Sequence, residues 1–160
     1  MEEGISLKKV IFVASAGGHL AQLLQLAPSF NHYKSILITE KNGSTGSLSG
    51  KYDTRYLVHG TREHLLSYLF IFSWNIIKSL WYFLRFKPDV IVTTGTHTAV
   101  PLCYIAWLFR KKIIFIESFS KQHSRNLSGR MVYPIASTFV VQWESMKELY
   151  PKAECWGWIY

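Results

Sequence analysis

The first strongly patterned stretch of the chain restricts the class of fold that the rest can adopt. An apolar, largely β-branched run over residues 10–14 leads into the glycine pair Gly17-Gly18, and a helical pattern follows His19. This order predicts a buried strand, a tight turn and a helix whose first N–H groups have no partner within the helix. Glycines let a ligand approach the backbone, helix N-termini attract anions, and histidine exchanges protons near neutral pH. The stretch is equally typical of an ordinary strand-to-helix turn, because it matches neither the G-x-G-x-x-G fingerprint nor a P-loop.

Short apolar runs alternate with helical patterns along the whole sequence. The predicted strands are 9–14, 35–39, 55–58, 90–93, 112–116 and 137–141, and the predicted helices are 20–26, 65–86, 99–109, 127–135 and 143–150. Such alternation predicts an α/β fold with a Rossmann-like doubly wound parallel sheet, and the length of 160 residues predicts one domain, 1–160. Ligands of such sheets bind beyond the carboxyl ends of the strands, so the turns there are the candidate site.

The turn after the fourth predicted strand repeats the first one. Residues 94–98 read T-G-T-H-T and stand immediately before a helix. Hydroxyls and backbone amides at such a turn can hold a diphosphate, although Thr96 and Thr98 are also suited to capping the helix. Two interpretations therefore stay open for this turn.

Two further segments fall at the same edge of the predicted sheet. Glu117 follows the fifth strand, where its carboxylate can meet a ligand or form a structural salt bridge with Arg125 or Arg130. Residues 41–51 are rich in glycine and serine, which predicts either a flexible surface loop or a lid over the ligand.

The predicted helix 65–86 is far more apolar than a surface helix needs to be. At about 100° per residue, Ser67, Asn75, Lys78 and Arg85 fall in one narrow polar arc. A buried core helix, a transmembrane span and an interfacial helix compete, and we favour the interfacial helix because tryptophan, tyrosine and basic residues suit the headgroup zone. The predicted membrane contacts are Trp74, Lys78, Trp81, Tyr82 and Arg85.

Charge and cysteine content exclude several classes of protein. The net charge of +8 suits anionic lipid, phosphorylated substrates or nucleic acid, but no nucleic-acid-binding module is recognisable, so we expect no nucleic acid partner. Two cysteines, Cys103 and Cys155, form neither a disulfide framework nor a metal-binding spacing. We expect a buried thiol at Cys103, no signal peptide in residues 1–6, no metal site and no cofactor.

Taken in order, the turns resemble the motifs of one family. These motifs are Ser15-Ala-Gly-Gly-His19, Thr94-Gly-Thr-His-Thr98, Ile116-Glu-Ser118, Leu127-Ser-Gly-Arg130, Val141-Gln-Trp143 and Tyr150-Pro-Lys152. The family comprises bacterial capsule and exopolysaccharide proteins related to eukaryotic Alg14, which resemble the N-terminal half of MurG-type glycosyltransferases. None of the motifs is specific alone, but their ordered occurrence over nearly the whole chain is. The resemblance implies a single N-terminal-type half of a GT-B fold.

The resemblance implies roles for particular residues. His19 matches the family's Gly-Gly-His and is expected to act as general base on the acceptor hydroxyl. Glu117 is expected to line the acceptor cleft as a second catalytic residue. The residues expected to hold the acceptor and its diphosphate are Gly17, Gly18, Thr94, Gly95, Thr96, His97, Thr98, Ser118 and Arg125.

The resemblance also implies a function divided between two chains. A complete GT-B enzyme has two Rossmann-like domains, and this sequence corresponds to the acceptor-binding one. We therefore expect an Alg13-like partner subunit that carries the UDP-sugar site, and little activity without it. The acceptor would be an undecaprenyl-diphosphate-linked saccharide in capsule or exopolysaccharide biosynthesis. The expected location is the cytoplasmic face of the plasma membrane, with the chain bound peripherally.

Two other functions compete with this one. The chain could be a non-catalytic membrane scaffold that stimulates a self-sufficient glycosyltransferase. It could also be an independent nucleotide-binding domain, although the missing fingerprint and the lack of an acidic residue closing the second predicted strand count against that. The apolar residues 156–160 are expected to dock the partner or to pack on the sheet as a last strand or tail.

Overall fold

The computed structural model describes residues 7–60 and 65–159, and within this part seven strands form one parallel sheet. The predictions for residues 1–6, for the Ser67 side chain and for Tyr160 lie outside the described residues. The strands are β1 Lys9–Ala14, β2 Lys34–Lys41, β3 Thr54–Val58, β4 Val90–Gly95, β5 Lys112–Ile116, β6 Thr138–Val141 and β7 Glu154–Cys155. The helices are α1 Gly18–Leu24, α2 Leu65–Phe86, α3 Ala99–Leu108 and α4 Leu127–Val132, joined by short 3-10 helices at Ala27–His32, Gly46–Gly50 and Glu144–Glu148.

The sheet is doubly wound, as the alternating pattern predicts. In β1, Ile11 and Val13 pack into the core layer that contains α2 and α3, whereas Val10 and Phe12 pack into the layer that contains α1. Strands buried on both faces must be apolar at every position, which explains the continuous runs in the sequence. Cys103 lies in the first layer, where burial raises the pKa of its thiol to about 12, so the prediction of a buried thiol is confirmed.

The strand order fixes where a ligand can bind. The order is β3-β2-β1-β4-β5-β6-β7, so the direction of winding reverses between β1 and β4. In open α/β sheets this reversal opens a crevice beyond the carboxyl ends of the two strands. The turns that follow β1 and β4 are those that the sequence singles out.

Helix α2 turns Asn75 and Lys78 of its polar arc toward the protein and an apolar side outward. The Asn75 amide accepts a hydrogen bond from the Val58 N–H at 2.9 Å and donates one to the Val58 carbonyl at 2.8 Å. Lys78 Nζ and the Tyr82 hydroxyl both donate to the Tyr56 carbonyl, at 2.7 and 3.1 Å. Since β3 is the edge strand of the sheet, these side chains satisfy backbone groups that would otherwise stay unpaired.

The outward side of α2 is a broad apolar surface. Trp74 and Trp81 remain 53% and 57% exposed, whereas Asn75 is only 8% exposed. The interpretation of α2 as an ordinary core helix is therefore wrong. Among the described residues, no helix is long and apolar enough to cross a membrane. Of the five predicted membrane contacts, Lys78 and Tyr82 lie against β3, and Trp74, Trp81 and Arg85 are exposed.

The apolar surface continues onto α3. Phe83 of α2 and Phe109, just after α3, pack with their ring centroids 5.1 Å apart. The exposed side chains of this second part are Trp107, Leu108 and Phe109, and Arg110-Lys111-Lys112 follow directly in the sequence. We define the apolar patch as these three residues together with the exposed apolar residues of α2, which are Leu69, Phe70, Trp74, Ile76, Ile77, Leu80, Trp81 and Leu84.

The segment predicted to be a flexible loop has defined local structure. The Asn42 side chain accepts hydrogen bonds from the N–H groups of Ser44 and Thr45, and the buried Thr45 hydroxyl donates to the Glu40 carbonyl at 2.7 Å. A 3-10 helix, Gly46–Gly50, follows. The alternative of a lid stays a prediction.

Candidate functional site

His19 is fixed at the junction of β1 and β4 by a reciprocal pair of hydrogen bonds. Its Nδ1 lies 2.7 Å from the Thr94 carbonyl, and the Thr94 hydroxyl donates to the His19 carbonyl, also at 2.7 Å. Because a carbonyl can only accept, Nδ1 must carry the proton, which leaves Nε2 of the neutral ring as an acceptor. His19 is therefore oriented as a base would be, and it lines an open cavity.

The glycine pair before His19 keeps the approach to this cavity open. Gly17 has φ +98°, a conformation that favours glycine, and it stands directly before α1. Gly17 and Gly18 are exposed, and a Cβ at either position would meet nothing within 4 Å. Both residues thus leave their backbone accessible to a ligand, as predicted for this turn.

The turn after β4 is strained and tightly bonded. Gly95 and Thr96 both have positive φ, +101° and +82°. Strain of this kind at a β-branched residue costs on the order of 1–3 kcal/mol and persists only where the surroundings impose it. The surroundings here include Ser128 Oγ, which accepts from the Thr96 N–H at 3.0 Å, and the Ser15 hydroxyl, which bonds those of Thr96 and Thr98. This network is more extensive than helix capping by Thr98, whose side chain makes no cap bond.

Replacing Gly95 with alanine is expected to lower the free energy of unfolding by about 1–3 kcal/mol. Besides the strained φ, the new Cβ would lie 2.8 Å from Ser128 Oγ and 3.0 Å from Phe115 Cζ. Urea denaturation measures the change, with Gly43→Ala as control because a Cβ at Gly43 meets open space. Equal stability of the two variants would contradict the claim that the Gly95 backbone and its neighbours hold the turn.

The cavity lies between α1, the turn after β4 and the start of α4. It is lined by His19, Thr96, His97, Val100, Asn126, Leu127, Ser128 and Met131. The lining combines imidazoles, hydroxyls and an amide with the apolar side chains of Val100, Leu127 and Met131. A ligand with a polar head and an apolar remainder fits such a lining. The sequence analysis assigned no role to three of the lining residues, which are the exposed Leu127 and Met131 and the N-cap residue Asn126. For Asn126, the preference of asparagine for the position before a helix could have indicated its capping role.

Glu117 directly follows β5 as predicted, but it is buried and does not line the cavity. It accepts hydrogen bonds from the Ser118 N–H at 2.9 Å, the Tyr150 hydroxyl at 3.1 Å and the Asn126 amide. Neither of the alternative salt-bridge partners, Arg125 or Arg130, forms an ion pair with Glu117 in the described structure. Arg125 instead donates to the Leu149 carbonyl and lies over the Tyr150 ring, 5.2 Å from its centroid. Glu117 therefore holds Asn126 in the cavity wall rather than facing the cavity itself.

Burial raises the pKa of the Glu117 carboxyl above its usual range, and the hydrogen bonds from Ser118, Tyr150 and Asn126 offset part of that effect. A carboxyl with a raised pKa binds its proton more tightly in the folded than in the unfolded protein, so its contribution to stability falls as pH rises through the folded pKa. Glu117→Gln removes this titration. We expect the unfolding free energy of the variant, relative to the native chain, to increase from pH 4 to pH 8 in paired urea titrations. A pH-independent difference would contradict the prediction.

Only some of the remaining predicted binding residues line the cavity. Thr94, Gly95 and Thr98 are buried and shape the turn, whereas Thr96 and His97 line the cavity. Ser118 is also buried, and its hydroxyl accepts from the Gln22 amide at 3.2 Å, on the α1 side of β5. Ser118 and Arg125 are thus not brought into the cavity lining.

An acidic residue, Glu40, lies near the end of β2, so the expectation that none closes this strand is wrong. Strand β2 continues through Lys41, two residues beyond its predicted end. Glu40 is buried and contacts His59, His97 and Thr98. Within the described part of the chain, no group of three or more His, Cys, Asp or Glu side chains is placed to hold a metal ion.

The fold is shared with one half of larger enzymes. MurG of Acinetobacter baumannii superimposes with a TM-score of 0.69 at 16% identity, over 86% of this chain and 42% of MurG. A UDP-N-acetylglucosamine 2-epimerase of Rickettsia bellii does so with a TM-score of 0.71 at 15% identity, over 91% of this chain and 41% of the epimerase. At these identities the likeness concerns the fold alone, which is the Rossmann-like half-domain of GT-B proteins.

Sequence relatives identify the family. A family model described as "Oligosaccharide biosynthesis protein Alg14 like" matches residues 10–159. The UDP-N-acetylglucosamine transferase subunit ALG14 of Rattus norvegicus is 31% identical over 176 residues, 90% of this chain and 79% of the rat protein. The protein of the same name in Homo sapiens is 28% identical over 172 residues, 90% of this chain and 79% of its own length. These relatives are animal proteins, so the predicted placement among bacterial capsule and exopolysaccharide proteins stays a prediction. Because the family model covers nearly all of the sequence, the chain belongs to the Alg14 family of oligosaccharide biosynthesis proteins.

Proposed function

We propose that this chain is the acceptor-binding subunit of a two-component glycosyltransferase. The proposal rests on the position of His19: its Nδ1 is hydrogen-bonded to the Thr94 carbonyl, and its ring lines a cavity that has both polar and apolar side chains. In the proposed reaction, Nε2 takes the proton of the acceptor hydroxyl while the hydroxyl oxygen attacks the anomeric carbon of a UDP-sugar. The bond from that carbon to the diphosphate of UDP breaks, and the configuration is inverted.

The partner and the substrates follow from the family. The relatives are named subunits of a UDP-N-acetylglucosamine transferase, which supports a UDP-sugar donor and a second polypeptide. Membership of the Alg14 family supports an Alg13-like partner that carries the donor site. A hexose donor, an undecaprenyl-diphosphate-linked acceptor and a setting in capsule or exopolysaccharide assembly complete the proposal.

Reconstitution tests the proposal. We expect the purified chain, mixed with a UDP-sugar and a lipid-diphosphate-linked saccharide, to give no measurable product, and the same mixture to react once the donor-binding subunit is added. Product is measured by mass spectrometry of the extracted lipid. Robust turnover by this chain alone would overturn the division of labour.

Peripheral attachment to the cytoplasmic face of the membrane is part of the same proposal. The exposed apolar patch is bordered in sequence by Arg85 and by Arg110-Lys111-Lys112, and basic residues beside exposed tryptophan suit an anionic lipid surface. The patch would thereby keep the chain at the bilayer in which a lipid-linked acceptor resides.

The C-terminal tail is the proposed docking site for the partner. Trp158 is exposed but packs against Phe119 and Trp143, with centroid distances of 5.6 and 5.7 Å, and the Ile159 N–H donates to Gln142. Tryptophans anchored in this way are common hot spots of interfaces.

We expect Trp158→Ala to weaken capture of the donor subunit by about tenfold or more, while Trp107→Ala on α3 leaves it unchanged. Equal capture by both variants in a pull-down would contradict this docking site.

A second function, that of a non-catalytic scaffold, is favoured by one observation. Glu117 and the hydroxyls of Ser15 and Thr98 are all engaged within the protein, so much of the rim has a structural use without any ligand. In a scaffold, the partner would supply all of the catalytic groups, and substitutions at His19 would leave turnover unchanged.

A further inference from the structure

Glu40 is a buried carboxylate that contacts two histidines at the edge of the candidate site. Its side chain is only 4% exposed. Oε2 lies 2.8 Å from His59 Nδ1, and Oε1 lies 3.5 Å from His97 Nε2 and accepts the Thr98 hydroxyl. Two protonatable groups and one hydroxyl thus converge on a carboxylate that water hardly reaches.

The carboxylate reaches this position across the end of β1. Strand β1 separates β2 from β4 in the sheet, and the small residue Ser15 follows it, with its hydroxyl donating to that of Thr98 at 2.7 Å. Glu40 is therefore tied through Thr98 to the turn after β4. Its contact with His97 joins β2 to the cavity.

The two histidines that line the cavity differ in the partner behind them. His19 is backed by the uncharged Thr94 carbonyl, which suits a neutral ring with a basic nitrogen. His97 is backed by the carboxylate of Glu40, and an opposite charge within about 4–6 Å favours the protonated form of a histidine. Neighbouring groups that separate the protonation states of two residues in this way assign them different tasks.

We propose that Glu40 is a positioning residue that keeps His97 cationic, so that His97 holds the anionic diphosphate of the acceptor while His19 acts as the base. This inference rests on the proposed function for the identity of the ligand. Within the described parts of the chain, the titratable groups near His97 include Glu40 from β2, His59 after β3 and His19 from α1. His97 is 34% exposed, so it contacts both the buried carboxylate and the cavity.

The sign of one electrostatic effect makes the inference testable. Removing the charge of Glu40 deletes a negative group near the anion, which by Coulomb's law alone strengthens anion binding. If Glu40 acts through His97, Glu40→Gln weakens anion binding instead, because the ring loses the partner that keeps it protonated. Lowering the pH then restores binding, because the higher proton concentration protonates His97 without the carboxylate.

The experiment measures binding of inorganic pyrophosphate to the full chain by calorimetry at pH 7.5 and pH 6. We expect Glu40→Gln to weaken binding about tenfold at pH 7.5, because the His97 ring loses the carboxylate that favours its protonated form. At pH 6 the variant should recover most of the lost binding. His97→Gln should weaken binding at both pH values, and His59→Gln should retain binding at pH 7.5.

The inference is overturned if Glu40→Gln binds pyrophosphate as well as the native chain at pH 7.5, if its loss persists at pH 6, or if the native chain does not bind pyrophosphate. If Glu40→Gln does not fold, the His97→Gln variant provides the test. Binding of pyrophosphate by His97→Gln at pH 7.5 with the affinity of the native chain would also overturn the inference. The assay needs neither a partner nor turnover. Failure of the proposed transferase reaction would therefore leave this result intact, and failure here would leave the assignment of His19 untouched.

Discussion

Replacing His19 with alanine is expected to reduce turnover by the complex of this chain and its donor-binding partner about 10²–10⁴-fold, the usual scale of general-base catalysis. The ring is held by Thr94 with its basic nitrogen unoccupied by that bond, so the loss should fall on kcat rather than on the acceptor KM. Initial rates at saturating UDP-sugar and varied lipid acceptor separate the two constants.

A matched variant distinguishes the base from a structural histidine. The amide of asparagine can donate to the Thr94 carbonyl as Nδ1 does, but it has no basic nitrogen. His19→Asn should therefore fold like the native chain and be as inactive as His19→Ala. His32→Ala serves as the neutral control, because His32 is an exposed histidine that precedes β2 and does not line the cavity. Native activity in His19→Asn would assign His19 to the structure and favour the scaffold.

Local pattern predicted most of the fold because both faces of the sheet are covered. The central strand β5 is apolar over residues 113–116, and its predicted bounds, Lys112–Ile116, are those observed. Strand β7 has only two residues, Glu154 and Cys155, and its pairing with β6 depends on a neighbour that no local pattern shows. The predicted helix 143–150 is a 3-10 helix over Glu144–Glu148, a difference that hydrophobic periodicity does not resolve.

The site was predictable where one turn contains it and not where distant segments meet. His19 and the turn after β4 are local motifs, and the chain order of parallel strands brings them to one edge. Glu40 was missed because its partners lie far from it in the sequence: His59 follows β3, and His97 lies in the turn after β4. The inward direction of Glu117 depends on Asn126 and Tyr150, which approach only in the folded chain. Gly129 permits that approach, since a Cβ there would lie 2.5 Å from Glu117 Oε2.

The orientation of α2 likewise could not be predicted from local sequence, and it leads to the second prediction with a large expected effect. Periodicity located the polar arc of this helix, but a polar arc ordinarily faces water. Here the arc meets the backbone of an edge strand through Asn75 and Lys78, so the apolar side must face something other than the protein core. A lipid surface would cover tryptophan side chains while the basic residues after α3 contact its headgroups.

Replacing both Trp74 and Trp81 with serine is therefore expected to lower the partition coefficient onto anionic vesicles about 100-fold. Each tryptophan is more than half exposed, so each can bury enough apolar surface for about 1.5 kcal/mol, and about 1.4 kcal/mol corresponds to a factor of ten. Co-sedimentation with vesicles of phosphatidylglycerol and phosphatidylcholine measures the loss, and Tyr33→Ser, an exposed aromatic residue outside the apolar patch, is the control. Both tryptophans lie outside the core, so the melting temperature should stay unchanged. If the double variant binds vesicles normally but no longer forms a dimer or a complex that the native chain forms, the apolar patch is a protein interface and the membrane assignment is wrong.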